Sequence, residues 1–503
     1  MDEKVNAGDA DSVQRASTGI PGLDEVLLGG FLAENIYLIQ GNPGSGKTTL
    51  GMQFLMEGVR HGENGLYVTL SESEKDIQAV AKSHGWSLDG ITLYVKDAST
   101  RFKAEEEYTV FPADEVELIE TTDRVYEEVE RLQPRRVVLD SLSELRLMAK
   151  DPRRYRRQIL SLKQFFSQRM CTVLLLDDQT AQDRDLQLQT VAHAVIDLQR
   201  LDQQYGVTRR QLRIIKVRGS KFRDGPHDYV IQRGGLVVFP RLVAAEHRGD
   251  GPPECLPSGL VELDALLGGG LGRGTSALLL GPPGAGKSAL AMQYAFSRVE
   301  RGEAVACFLF EESRERFLNR AAGLGRELRS HVDAGRLMVR QIDPAEMSPG
   351  EFAHTLKANV EEHGVRLVII DSLNGYLNAM PNERFLMLHM HELLMYLNQQ
   401  GVLTLMTMTQ HGVLAQIQSP VDVSHLADSL ILLRYFEAQG ELKQAISVLK
   451  NRDSSHERTI REFQITPTGI RIGQPLRQFR GVLSGVPAYS GKENLLDSGD
   501  NAE

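Results

Sequence analysis

The sequence predicts two tandem α/β domains, each a mostly parallel sheet flanked by helices. Three observations predict this: the chain length, a self-repeat the size of a whole domain, and short apolar strands alternating with amphipathic helices. The 503 residues exceed one ordinary core and suit two or three domains. Residues 19–30 read GIPGLDEVLLGG and residues 259–270 read GLVELDALLGGG. GNPGSGKTTLGMQF starts at Gly41 and GPPGAGKSALAMQY at Gly281, so both pairs share an offset of 240 residues. That period is far too long for a solenoid unit, and duplication of a domain is the simplest account. RRVVLDSL around Asp140 returns as RLVIIDSL around Asp371, and KVRGS from Lys216 returns as KNRDS from Lys450. The landmark order is the same in both halves, with drift of several residues that belongs in loops.

In the first half NIYLIQG runs into a glycine loop and a helix from Lys47. GLYVTL, a helix through Ile77 to Ser83, the strand RRVVLD, a helix across 153–169 and the strand CTVLLLD follow. Continuously apolar strands in such an alternation read as a parallel sheet covered on both faces. The Pro/Gly/charge-rich stretch from Glu246 to Pro257 reads as a linker. The expected organisation is a polar tail over 1–12, a first domain over 13–247, a second over 248–484 and a polar tail over 485–503.

Composition excludes several classes. The net charge of −10 argues against a protein devoted to gripping nucleic acid. The basic segments 152–158 and 208–223 read instead as a solvated helix face and an interface strand, with little aromatic interleaving. No apolar run approaches the ~20 residues that span a bilayer, and MDEKVNAG at the start lacks the features of a secretory signal. Cys171, Cys255 and Cys307 have no CxxC spacing, so neither a disulfide framework nor a zinc site is expected, and the cytoplasm is the natural compartment. His389 and His391 stand two apart on a helix and point to different faces, a poor metal pair. Trp86 reads as a packing residue.

Gly41–Thr48 and Gly281–Ser288 each fit G-x-x-x-x-G-K-[ST]. The glycines let the backbone curl so that successive N–H groups face phosphate oxygens, with a helix N-terminus behind them. The expected nucleotide contacts are Gly44, Ser45, Gly46, Lys47, Thr48 and Thr49 in the first half. Gly284, Ala285, Gly286, Lys287, Ser288 and Ala289 are their counterparts. The lysines reach the β- and γ-phosphates of ATP, and Thr48 and Ser288 ligate magnesium. Asp140 and Asp371 end apolar strands, the usual place for the acidic group behind the metal, with helix capping as the alternative.

ACFLFEES places Glu311 and Glu312 just past a strand, where LYVTLSES has Ser71 and Glu72. A carboxylate at that edge can polarise an attacking water or hydroxyl, or simply start a helix. Glu72, Glu311 and Glu312 are therefore candidate catalytic groups, and Glu311 also a candidate metal ligand. Lys216 with Arg218, and Lys450 with Arg452, repeat as K-x-R with both side chains on one strand face. In a ring they could reach a neighbouring subunit's γ-phosphate, as an arginine finger does; the alternative is a strand kept soluble by charge.

Beyond the phosphate loops, the strings GKT…QF, FEESRERFLNRA, IIDSL, SHLADSLILLRYFE and REF after KNRDSSHER resemble the KaiC family over about residues 13–487. That resemblance implies two tandem RecA-like P-loop NTPase domains in a homohexameric double ring, with ATP between subunits. It implies a slow ATPase in the first domain and a serine/threonine autokinase in the second. Ser424 falls on the family's phosphoacceptor serine, while His425 replaces the adjacent threonine. A two-site phosphorylation cycle is therefore not expected, and Ser71 puts the hydrolysis rate of the first domain in question. A KaiB-like partner is possible, a KaiA-like activator is not supported by the short C-terminal tail, and timing or stress signalling is the implied setting. Two other readings remain open: a non-kinase, ATP-driven assembly switch, and a RecA-like DNA-dependent ATPase.

Overall fold

The computed structural model describes residues 14–96, 113–178, 186–202, 206–246, 254–378, 383–410, 425–438, 440–452, 454–482 and 488–489. The chain divides into two compact units, Met1–Arg241 and Leu242–Glu503.

In the first unit a short pair, β1 (Arg15–Ala16) and β2 (Phe31–Leu32), flanks helix α1 (Leu23–Val26). The sheet proper holds β3 (Ile36–Gly41), β4 (Gly65–Thr69), β5 (Ile91–Val95), β6 (Arg136–Asp140), β7 (Thr172–Asp178), β8 (Ala194–Leu201), β9 (Arg209–Val217), β10 (Pro226–Gln232) and β11 (Gly235–Phe239). Its order is β11-β10-β9-β8-β3-β7-β6-β4-β5. The six strands from β8 to β5 are parallel, and β9 to β11 extend them as antiparallel neighbours. Helices α2 (Lys47–Arg60) and α3 (Glu74–His84) lie on one face; α4 (Ala113–Leu132), α5 (Leu142–Ala149), α6 (Pro152–Ser167) and α7 (Leu186–Val191) lie on the other. Adjacent strand residues such as Val137 and Val138 are both fully buried although they face opposite ways. This two-sided burial is why the strands read as continuous apolar runs.

The second unit repeats the plan. A pair, β12 (Cys255–Leu256) and β13 (Leu271–Gly272), flanks α8 (Val261–Leu266). The sheet runs β16-β15-β17-β18-β14-β19-β20-β21-β22. Its strands are β14 (Ser276–Gly281), β15 (Ala304–Leu309), β16 (Leu337–Gln341), β17 (Val365–Asp371), β18 (Leu403–Thr409), β19 (Ser429–Ala438), β20 (Glu441–Asn451), β21 (Ile460–Thr466) and β22 (Gly469–Pro475). Its helices are α9 (Lys287–Glu300), α10 (Arg314–Gly323), α11 (Arg329–Asp333), α12 (Pro349–His363), α13 (Leu373–Asn378) and α14 (Glu383–Gln399). Both sheets are mostly parallel α/β sheets of nine strands, as the alternation of strands and helices implies. Residues 242–246, which the sequence reading puts at the end of the first domain, group with the second unit, where the Ala244 N–H donates to Glu392 Oε2 at 3.1 Å.

Each phosphate loop is fixed by a glycine that no other residue replaces. Gly46 and Gly286 precede α2 and α9 with φ of 96° and 99°. A Cβ there would lie 2.6 Å from the Ile231 side chain or 2.5 Å from that of Phe463. A left-handed backbone and close approach to the antiparallel strands together demand glycine.

One buried guanidinium ties each unit's entrance segment to its loop helix, and the two units supply it from different elements. Arg136, at the start of β6, pairs with Glu63, donates to Ser17 O at 2.7 Å and Phe54 O at 2.8 Å, and lies over the Phe54 ring. Gly58 on α2 makes room, since a Cβ there would meet the Arg136 side chain at 2.6 Å. In the second unit Arg298 stands 240 residues after Gly58, on α9. It donates to Glu303 at 3.2 Å and to Pro257 O at 3.3 Å, the counterparts of Glu63 and Ser17. The strand position matching Arg136 is taken by buried Leu367.

Candidate functional site

The parallel strands of each unit end at one edge of the sheet, where the phosphate loop, the strand-tip aspartate and the glutamates meet. In the first unit Lys47 is buried and its ammonium donates to Gly41 O at 2.8 Å and Asn42 O at 3.2 Å. Its third partner is Asp178 Oδ1 at 2.6 Å, at the tip of β7. Asp140, at the tip of β6, accepts from Thr48 Oγ1 at 2.8 Å and from the Tyr67 hydroxyl at 2.6 Å. Burial raises the Asp140 carboxyl above the ordinary range and Asp178 adds to this, while the two hydroxyl donors and Lys47 pull it down.

Glu72 sits two residues beyond Leu70, its N–H donating to Thr69 Oγ1 at 2.9 Å. Its Oε2 is buried without a hydrogen-bond partner. Burial, then the charges of Asp140, Asp76 and Asp178, push its carboxyl upward. An acceptor oxygen left open near the strand-tip carboxylates is a group able to take a proton. The Ser45 hydroxyl in the loop is likewise buried and unpartnered.

The second site uses the same frame with different partners. Lys287 donates to Gly281 O at 2.9 Å and Pro282 O at 2.8 Å. Its pKa is lowered by burial, against the opposing pull of Asp371 and Glu311. Asp371 accepts from Thr407 Oγ1 at 2.5 Å. Ser288 lies half-buried at the start of α9. Glu311 accepts from the Ser372 hydroxyl. Glu312 Oε1 is held by Arg320 at 2.6 Å, and Arg320 also lies 4.0 Å from Asp371. Glu312 Oε2 is buried without a partner, and burial raises its carboxyl while Arg320 opposes the shift.

The structure thus gathers Gly44–Thr49 with Asp140 and Glu72, and Gly284–Ala289 with Asp371, Glu311 and Glu312. It does not bring the K-x-R pairs to these edges. Lys216 lies opposite Val195, three residues before the Leu198 that faces Gly41. Lys450 lies opposite Leu430, which pairs with Leu278 three residues before Gly281. At ~3.3 Å per residue both pairs sit about 10 Å back along the sheet from their own loops. Lys450 donates to Ala427 O at 2.7 Å, Arg218 to Thr190 O at 2.6 Å, and Arg452 lies 3.6 Å from Asp428. Burial lowers the pKa of Lys216 and Lys450. Ser424 lies outside the described residues, and exposed His425 is the first described residue after it.

The other sequence features resolve into structure. His389 Nδ1 is 2.6 Å from the Tyr376 hydroxyl, and the described residues hold no cluster of His, Cys, Asp or Glu fit for a metal ion. Trp86 stacks on His84 with ring centroids 4.5 Å apart. The basic 152–158 segment opens α6, with Tyr155 buried between exposed arginines. No described helix is long and apolar enough to cross a membrane.

Four residues at the two sites escape the motif reading: Tyr67, Asp178, Arg320 and Thr407. Only Asp178 has a local signal, a second aspartate at the tip of an apolar strand. The others meet the sites through packing between strands and helices.

The residues present fit a magnesium–triphosphate. They offer a cradle that a Cβ would fill, buried lysines held on loop carbonyls, strand-tip carboxylates and orphaned glutamate oxygens. Comparison with known proteins points to an ATPase family. The family model "ATPase: KaiC" matches residues 16–243 and again 256–477. The chain is 29% identical to circadian clock protein KaiC3 of Synechocystis sp. over 97% of each chain. It is 28% identical to circadian clock oscillator protein KaiC of Picosynechococcus sp., covering 96% of this chain and 94% of that one. It is 27% identical to the protein of that name from Synechococcus elongatus, covering 97% and 94%. With two matched repeats spanning nearly all of its length, each built around a complete phosphate loop, the chain belongs to the KaiC family of ATPases.

Proposed function

We propose that the protein binds magnesium–ATP in both units and hydrolyses it, assembles as a homohexamer, and acts as a serine/threonine autokinase through its second unit. The observation that carries the reading is the same in each half. A loop lysine, a strand-tip carboxylate and a half-buried glutamate with an open oxygen share one sheet edge. Lys47 and Lys287 bind the β- and γ-phosphates. Thr48 and Asp140, and Ser288, Asp371 and Glu311, would hold magnesium, which when bound neutralises phosphate charge. Glu72 accepts a proton from water in the first unit. Glu312, or Glu311, accepts one from water or from the Ser424 hydroxyl of a neighbouring subunit in the second.

The distance of the K-x-R pairs from their own loops supports action on another subunit's nucleotide, which makes the hexamer part of the catalytic scheme. A KaiB-like partner, a cytoplasmic setting and a timing or stress-signalling role follow from the family reading. Intact-mass measurement after incubation with magnesium–ATP tests the kinase. One phosphoryl increment per chain is expected, lost in Ser424→Ala. Two observations favour a second reading, an ATP-driven assembly switch without autophosphorylation: His425 beside Ser424, and the tie of Arg320 on Glu312. ATP turnover with no mass increment would select it.

The raised carboxyl of Glu72 gives a pH test. A base works only when deprotonated, so first-site turnover falls as pH drops through the folded pKa, which lies above 4.5. In Lys287→Ala, the acid limb of the rate profile is expected above the range of an ordinary glutamate. A limb at or below that range would remove Glu72 as the base.

A further inference from the structure

We infer that Asp178 controls access of nucleotide to the first site by holding the loop lysine, an inference that rests on the nucleotide-site reading above. The ammonium of Lys47 has three donors, and Gly41 O, Asn42 O and Asp178 Oδ1 take them. A triphosphate that engages Lys47 displaces Asp178 from it and leaves that carboxylate beside the incoming phosphate. Asp178 is about one-third exposed, so the pair is screened only in part. Asp178 lies within electrostatic reach of both Glu72 and Asp140. The first site thus carries three carboxylates against one paired lysine, and further anionic charge enters it only with a cation.

The second site is built otherwise. Lys287 keeps the two loop carbonyls. The strand position facing Gly281, where the first unit places Asp178 opposite Gly41, is Thr409. Its N–H donates to Asn374 Oδ1 at 2.7 Å. A neutral hydroxyl there neither holds the lysine nor repels a γ-phosphate. Asp178 therefore weakens ATP at the first site, where a neutral residue such as Thr409 in its place would not, and makes binding there depend more steeply on free magnesium. ADP, which lacks the γ-phosphate, is penalised less.

Calorimetric titration of the full-length Lys287→Ala protein with ATP and with ADP, across a magnesium series, tests this. Asp178→Thr and Asp178→Asn are expected to tighten ATP by roughly five- to tenfold, ADP by less, and to flatten the magnesium dependence. Thr409→Asp in a Lys47→Ala background is expected to weaken ATP at the second site, and it decides the matter if the Asp178 variants fail to fold. Unchanged or weaker ATP binding in the Asp178 variants overturns the inference, as does normal binding with lost hydrolysis, which would make Asp178 a catalytic group. If Lys47→Ala added to Lys287→Ala leaves ATP binding intact, the nucleotide-site reading itself fails. If that double variant loses binding while the Asp178 variants bind like their parent, only the present inference falls.

Discussion

The protein carrying Lys47→Ala and Lys287→Ala together loses magnesium–ATP binding and turnover by about a hundredfold or more. Both lysines are buried over their loops on backbone carbonyls, positioned by the same glycine-capped helix start, and among the described residues no other cation is held on those carbonyls. Each single substitution should remove one of two binding events per chain, visible as a halved stoichiometry in calorimetry. The first-unit substitution also frees Asp178 from its partner, which adds repulsion to the lost attraction. Wild-type turnover in the double variant would end the account of both sites.

The largest stability effect is expected at Arg136. Its guanidinium is buried against Glu63, two backbone carbonyls and the Phe54 ring. Arg136→Ala leaves a carboxylate and two carbonyl acceptors without their donor, a loss of about 3–5 kcal/mol in the first unit. Denaturant unfolding followed by a first-unit probe measures it. The second unit shows how to repair the damage. Arg136→Leu combined with Gly58→Arg recreates the arrangement of Leu367 and Arg298, and should regain a large part of the loss, whereas either substitution alone should not. Gly58→Arg alone drives a side chain into Arg136, since even a Cβ there would come within 2.6 Å. Additive losses in the double variant would refute the equivalence of the two ties.

Much of the frame was legible before any coordinates. The repeat offset, the two loops and the apolar strands ending at Asp140 and Asp371 fix the sheet edge and which residues reach it, because these depend on local spacing and on side-chain period. The carboxylates Glu72, Glu311 and Glu312 fall where strand and loop lengths put them. What secures these groups was not legible. Asp140 is held by Tyr67 from β4, but Asp371 by Thr407 from β18, on the opposite neighbouring strand. Arg320 lies inside the string FEESRERFLNRA, but the string does not say that its side chain reaches back to Glu312 from the last turn of α10. Such contacts arise only when parallel strands are set side by side, and they differ between halves that share the same loops. The K-x-R pairs recur clearly in the sequence, yet spacing alone does not say which end of the sheet they occupy.

The two arginine ties also bear on how the halves have diverged. A shared requirement, one cation in one buried spot, has been met from a strand in one copy and from a helix in the other. An alignment of the halves column by column scores both positions as unrelated changes, although they are one exchange. A chimera that transplants β6 alone into the other half therefore places two guanidiniums in one buried space, and one that transplants α2 alone leaves none. Strand and helix are transferable only together, as a single inherited module.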